Sequence, residues 1–331
     1  MEPTPEGDPP VRPYDRRYWL IGPALALAYA LVLYGLVHWF RPDSGTVVIS
    51  FVIGAPLGAC LIAVRLDDPH GRGGAWRHIF MSALVISWML LVSFAILREG
   101  SLCVMMAAPL FYAVGIAGGL LGGMLARGSV GRTLCLAIIA APLVGIPVEP
   151  QDAYPRVTEQ VTSVIDIAAP PEVVWRRTVA IPAIAPAERI ATFSHNVVGV
   201  PRPVSARLDG QGPGAVRQLA WTGGVHFQEV ITHWDQDRSL AWRFRFAPDS
   251  VPLAIERNIN VQSGYLWLSD GDYRLDPLPN GSTRLTLTTR YRLRTPINAY
   301  CAWWGGVFFN DFHRAVLHVI KLRAEGAAGR A

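Results

Sequence analysis

Five apolar runs crowd into the first 148 residues: Tyr18–Phe40, Thr46–Leu66, Ile79–Leu97, Cys103–Leu125 and Thr133–Val148. A helix needs about 20 such residues to cross ~30 Å of hydrocarbon, and the first four runs meet that length. The fifth has sixteen residues and contains Pro142 and Pro147, so it reads either as a thin span or as a re-entrant segment. The first run is too long for a cleavable signal peptide and is followed by further runs. The expected fold of residues 18–148 is an all-α transmembrane bundle of about five helices, behind a cytoplasmic tail of residues 1–17.

Arginines set the orientation. Arg12, Arg16 and Arg17 precede the first run, Arg65, Arg72 and Arg77 follow the second, and Arg127 and Arg132 follow the fourth. The other two connections hold only Arg41 and Arg98. Basic loops stay in the cytoplasm, which places the N-terminus there. If the fifth run spans, everything after Glu149 is extracytoplasmic; if it does not, the C-terminal half stays in the cytoplasm with the same arginine pattern. The expected setting is a bacterial inner membrane, with the first topology favoured.

The runs carry almost no ionisable residues, whereas proton and ion paths usually do. Gly115, Gly119 and Gly123, with Gly118 and Gly122, give spacings that let helices approach closely. Plain packing is the simple reading, a substrate-conducting interface the other. "GRGG" at Gly71–Gly74 has neither a lysine nor a preceding strand and is no phosphate loop. The bundle reads as an anchor.

Charge separates the halves. Residues 1–154 hold ten arginines and ten acids, while residues 155–331 hold twenty basic residues against fifteen acids and so the whole net charge of +5. That excess suits anionic headgroups but is too small and scattered for nucleic acid. Cys60, Cys103 and Cys135 lie in apolar runs and Cys301 is alone in the second half, which excludes a disulfide framework or a zinc pattern there.

Past a linker of residues 149–156 the periodicity changes to two. Strands are expected at Val157–Ile167, Val204–Leu208, Ala215–Thr222, Val225–Trp234, Leu240–Phe246, Val261–Ser269 continuing to Leu275, and Arg284–Leu293. "APPEVVWRRTV" after the first strand starts a short helix. Asn280-Gly281 between two alternating runs is a strong hairpin signal. "DGQGPGA" joins two strands and opens no helix, so it is not a dinucleotide site. In the last strand Leu285, Leu287, Thr289, Tyr291 and Leu293 share one face, and arginines and threonines the other. Leu240, Trp242, Phe244 and Phe246 alternate with Ala241, Arg243 and Arg245 in the same way. The dry, aromatic face needs a cover.

"AYCAWWGGVFFNDFHRAVLHVI", Ala299–Ile320, supplies one. Ile297, Tyr300, Cys301, Trp304, Val307, Phe308, Phe312, Ala315, Val319 and Leu322 recur at three- and four-residue steps. Asn310, Asp311, His313, Arg314 and His318 interrupt the run, and a mid-membrane Asp or Arg costs about 2.5–3.5 kcal/mol on insertion scales. A covering helix is expected, not another span.

"VTSVIDIAAPPEVVWRRTV", "FQEVITHWDQDRSLAWRF" and "GSTRLTLTTRYRLRTPINAYCAWW", in the order strand, short helix, six antiparallel strands and long helix, resemble the START-like helix-grip superfamily (SRPBCC), which includes polyketide cyclases/dehydratases and lipid-transfer domains. The likeness covers residues 157–325 and leaves 326–331 as a tail. It implies an α+β domain whose curved antiparallel sheet grips the last helix around an apolar cavity for sterols, lipids or polyketides. It supplies no shared catalytic motif and no cofactor.

Alternation offers Trp242, Phe244, Tyr265, Trp267, Tyr273 and Tyr291, with Trp304 and Phe308 from the helix, as cavity liners; ordinary core packing is the other reading for each. Glu229, between Phe227 and Ile231, is a weak candidate general acid or base, and a two-residue turn at Gly223-Gly224 would set it opposite Gln218. Asp311 is a second weak candidate, with a salt bridge to Arg314 or an arginine of the sheet as the plainer role. His313 and His318, or His226 and His233, lack metal-site geometry. The expected function is a membrane-anchored module that binds an apolar small molecule or lipid. A cyclase/dehydratase- or hydrolase-type enzyme is the alternative, and a structural protein with a filled cavity the third. Membrane lipids and an apolar ligand are the expected partners; nucleic acid and metal are not.

Overall fold

In a computed structural model the chain is described at residues 18–40, 48–126, 129–150, 154–252, 255 and 262–328. Arg12, Arg16, Arg17, Arg41, Arg127 and Val261 lie outside the described residues.

The first half is helical throughout: α1 (Tyr18–Phe40), α2 (Ile49–Val52), α3 (Gly54–Asp67), α4 (Ala75–Ala95), α5 (Ser101–Met124) and α6 (Ser129–Val148). With α2 and α3 taken together as Ile49–Asp67, five of its helical stretches are long and apolar enough to cross a membrane. α6 is longer than the sequence run suggested. Its helix begins at Ser129 and carries Pro142 and Pro147 without stopping.

α5 lies between α3 and α4, and its glycines divide between them. A Cβ at Gly118 or Gly122 would face Leu57 or Leu61 of α3; one at Gly119 or Gly123 would strike Ser82 or His78 of α4. Both stripes are packing surfaces, as small residues permit. The outward faces remain apolar, with Trp39, Trp76, Phe80, Trp88, Phe94, Leu136 and Val144 exposed.

One end of the bundle is tied to the C-terminal half. Glu149, just past α6, accepts from Ile49 N (2.7 Å), Ser50 N (3.0 Å) and Ser50 Oγ (2.7 Å), which satisfies free N–H groups at the start of α2. The Tyr34 hydroxyl, near the end of α1, donates to Glu99 at 2.5 Å. The ends of α1, α4 and α6 and the starts of α2 and α5 therefore share one end. Arg65, Arg72 and Arg77 lie at the other, where Arg77 pairs with Asp67 at 2.8 Å.

The second half runs β1 (Val157–Ile167), α7 (Pro171–Thr178), β2 (Pro203–Asp209), β3 (Val216–Trp221), β4 (His226–Asp235), β5 (Ser239–Arg245), β6 (Leu266–Pro277), β7 (Thr283–Leu293) and α8 (Asn298–Ala328). The seven strands form one antiparallel sheet in the order β1-β7-β6-β5-β4-β3-β2. β7 keeps the expected alternation, with Leu285, Leu287, Tyr291 and Leu293 buried and Arg284 and Arg292 exposed. Asn280-Gly281 closes the β6–β7 hairpin, where Gly281 takes φ +76°. α8 lies on the inner face of the sheet, contacting β1 and β7, and is not among the five candidate spans. This is a helix-grip arrangement.

α8 has two buried sides. From Leu317 onward, Leu317, Ile320 and Ala324 join Ile167, Val174, Trp175, Leu240 and Leu285 in a dry core. At 100° per residue, Trp304, Phe308 and Asp311 fall on nearly the opposite side. Trp304 and Phe308 pack with Val198 and with Leu102, Met105 and Met106 of α5. The Tyr300 hydroxyl donates to the Met106 carbonyl at 2.5 Å. The same helix seals the sheet and docks on the bundle. This corrects the expected sealing stripe: Leu322, assigned to it, is 45% exposed.

Candidate functional site

Between the inner face of the sheet and the first half of α8 lies a cavity of about 940 Å³. Small-molecule sites span about 300–1,000 Å³, so this one is large. Its α8 wall ends at Val316, one residue before the dry core begins. The hollow continues past the sheet into the helical half, where Phe51, Val52, Phe94, Met106, Leu110 and Phe111 line it.

The sheet side carries a buried ion pair. Arg217 on β3 and Glu229 on β4 are 2% and 4% exposed, and Arg217 Nε donates to Glu229 Oε2 at 2.5 Å. Arg217 Nη1 donates to the Thr178 carbonyl at 2.9 Å. Its guanidinium lies 4.7 Å from the Trp242 ring centre and 5.5 Å from that of Tyr273. Desolvation pushes the Glu229 carboxyl up, against the pull of Arg217, and burial pushes Tyr273 up to about 12. The pair gives an apolar hollow one polar spot.

The structure sets Glu229 opposite Arg217, not Gln218. The turn between β3 and β4 has three residues, Thr222–Gly224, closed by Trp221 N donating to the Val225 carbonyl at 2.7 Å. One extra turn residue moves every partner by one. Arg217 itself was legible, because it shares the inner phase of its strand with Ala215 and Leu219.

His313 on α8 forms a second polar spot. Its Nε2 shares a hydrogen bond with Thr289 Oγ1 (2.8 Å) and its Nδ1 with Ser163 Oγ (3.0 Å). Burial lowers its pKa from 6.5 to about 4. A histidine depressed on folding stabilises fully above pH 6.5, and that stability is lost as pH falls through 6.5 towards 4. The whole protein in detergent should thus lose about 3 kcal/mol from this residue by pH 4. His313→Gln keeps hydrogen-bonding groups but does not titrate, so its thermal midpoint should fall less steeply between pH 7 and 4.5. Equal slopes would show that His313 is not held neutral.

Of the expected liners, Trp242, Phe244, Tyr265, Tyr273, Tyr291 and Phe308 border the cavity. Trp242 fits because Gly271 lies beneath it; a Cβ there would come within 2.6 Å of the indole. Two others do not line it. Trp267 is 40% exposed and stacks under Arg292 at 5.4 Å on the wet face. A β-bulge between Leu268 and Asp270 reverses the phase of β6, so Leu266 and Leu268 face inward before it and Gly271 and Tyr273 after it. Trp304 turns towards α5, as described above.

Asp311 lies outside the cavity wall. It accepts from Ser194 N (2.8 Å) and Ser194 Oγ (2.7 Å), with Arg314 at 3.8 Å, and so anchors the turn Ser194–Val198 beneath α8. The salt bridge expected from sequence is the looser of its contacts, and the closer partner is a serine. The sequence gives no sign that residues of the helical half, such as Phe51, Phe94 and Phe111, belong to the site.

No known family profile matches the chain, and no curated protein is similar to it. Solved structures similar to its C-terminal half include a protein from Nitrosomonas europaea (15% identity, TM-score 0.32, covering 52% of this chain and 97% of that one). The Zhui aromatase/cyclase from a Streptomyces species is 17% identical, with a TM-score of 0.33 over 53% of this chain and 95% of its own. A norcoclaurine synthase from Thalictrum flavum is 10% identical, with a TM-score of 0.31 over 49% and 92%. Each likeness pairs about half of this chain with nearly the whole of its neighbour.

Proposed function

We propose that this protein is a membrane-anchored carrier whose helix-grip domain takes an apolar small molecule or lipid from the bilayer into the hollow under α8. One observation carries the reading: a single cavity lined both by the sheet and by helices of membrane-spanning length. A molecule dissolved in the bilayer meets such a hollow without crossing water. The apolar outward faces support insertion of the five helices, since a soluble protein rarely exposes so much contiguous apolar surface. Arg65, Arg72 and Arg77 at the end away from the domain support a cytoplasmic location for that end and an extracytoplasmic domain. The open hollow weighs against a purely structural role.

The test is photolabelling of the whole protein in its membrane with a diazirine-bearing fatty alcohol. Cross-links should map to β3, β5 and β7 as well as to the helices. Leu219→Trp, which adds an indole to the cavity wall, should reduce the strand labelling about tenfold, the effect of removing ~1.4 kcal/mol of binding. Labelling confined to the outward faces of α1–α6 would overturn the proposal.

An enzyme reading has one observation in its favour. A carboxyl with a raised pKa in an apolar hollow is suited to proton transfer. Turnover that Glu229→Gln abolishes while strand labelling persists would establish it.

A further inference from the structure

Among the described residues, the cavity wall carries one arginine with no ion pair. Arg217 is matched by Glu229 inside the domain. Arg98 also lines the hollow, at the junction of the two halves, and has no ion pair among the described residues. It lies between α4 and α5 and is exposed. Of the bundle's own described residues at that end, Arg98 is the only arginine.

Its backbone marks it out as well. Arg98 has φ +55°, one of two non-glycine residues with positive φ among those described. It stands just past the end of α4, where Glu99 N donates to the Ser93 carbonyl at 3.0 Å. Helix exits of this kind favour glycine at the left-handed position, because a Cβ there is strained. Here the strained position holds a long cation. Strain of this kind, at a cavity mouth, is a reason to look for function. Glu99 shares the wall, its carboxyl held towards α1 by the Tyr34 hydroxyl, a bond that fixes its place and does not cancel its charge. Ser101, the first residue of α5, lines the same hollow and brings a hydroxyl to that wall.

We propose that the cavity's ligand is an anionic amphiphile, with its carboxylate or phosphate held by Arg98 and Ser101 at the junction and its apolar chain in the hollow. This deepens the carrier reading and rests on it. The matched pair Arg217–Glu229 offers no net charge to a second ion, so a charged head has no reason to leave the mouth. A chain of the hollow's length meets Leu219, Phe227, Phe244, Leu287 and Leu293 instead. Head at the junction and chain in the dry space matches each part of the ligand to its surroundings.

The test uses the whole protein in nanodiscs and two diazirine probes of equal chain length, a fatty acid and its methyl ester. The acid should label the cavity strands in preference to the ester. Arg98→Gln should reduce acid labelling about tenfold, as loss of a charge-assisted hydrogen bond does, and leave ester labelling unchanged. Arg98→Gly should lose the acid preference in the same way while keeping or raising the thermal midpoint, because it relieves the left-handed residue. A lysophosphatidic acid should compete with the acid probe, and inorganic phosphate at millimolar concentration should not. Acid and ester labelling alike, with Arg98→Gln without effect, would overturn this proposal and leave the carrier reading standing. Competition by inorganic phosphate as strong as by the lysolipid would overturn it too, pointing to a free-anion site. Absence of strand labelling by either probe would instead remove the carrier reading itself.

Discussion

Arg217→Met should destabilise the protein by about 3–5 kcal/mol, the usual result of stripping one partner from a buried ion pair. Glu229 would be left in a wall of Trp242, Tyr273 and Phe244 with no cation to face. For a domain of this size that is a drop of roughly 6–20 °C in thermal midpoint. The deficit should depend on pH in a definite direction. The lone carboxyl's folded pKa lies above its ordinary value of 4.5. The folded state then holds the proton more tightly, so the deficit shrinks as pH falls through the raised value towards 4.5. The double variant Arg217→Met/Glu229→Leu should recover most of the loss, because well-packed apolar replacements for a buried pair are often neutral. Recovery will be incomplete, since Arg217 also donates to the Thr178 carbonyl and lies over two rings. Thermal melts of the detergent-solubilised protein from pH 7.5 to 4.5 decide the matter. A single variant as stable as the parent at pH 7.5 would show that the pair is not closed off from water.

Gly118→Val should disrupt the helical half. A Cβ at Gly118 would lie 2.9 Å from the Leu57 Cα and nearer still to its carbonyl oxygen. These are backbone atoms of α3 and cannot rotate away, so the two helices must part. Overpacking of this kind costs about 1–3 kcal/mol or more. Gly122→Ala is the matched control, since its Cβ would meet Leu61 at an ordinary 3.4 Å. In size-exclusion profiles of the whole protein, Gly118→Val should lose most of the monodisperse peak and Gly122→Ala should keep it. Because α5 also carries Met106, Leu110 and Phe111 of the cavity wall, any surviving Gly118→Val protein should label poorly in the strands. Equal peaks for the two variants would contradict the close α3–α5 approach.

Much of the C-terminal fold was legible because its signals are local. Alternation on β5 and β7, the Asn280-Gly281 turn and the amphipathic tail each follow from a few neighbouring residues. The errors share a different cause. Alternation alone points Trp267 inward, because a β-bulge leaves no mark in it and one extra residue exchanges the faces. The partner of Glu229 falls one residue from its expected place because a three-residue turn and a two-residue turn look alike around Thr222–Gly224. Periodicity puts Trp304 on the sheet side only if the α8 stripe has one partner. It has two, and the aromatic stripe of its first half faces α5. Those are long-range facts. For the same reason the bundle read as an anchor alone, although Phe51, Phe94 and Phe111 border the site. Nothing in an apolar span distinguishes a residue facing lipid from one facing a cavity.

Native mass spectrometry of the whole protein, released gently from its own membrane, tests the central claim most directly. The parent should leave the detergent carrying one apolar molecule per chain, and Leu219→Trp should leave it bare. A parent that emerges empty, and takes up nothing when offered lipid extract, would contradict a hollow shared between the sheet and helices of membrane-spanning length as a binding site.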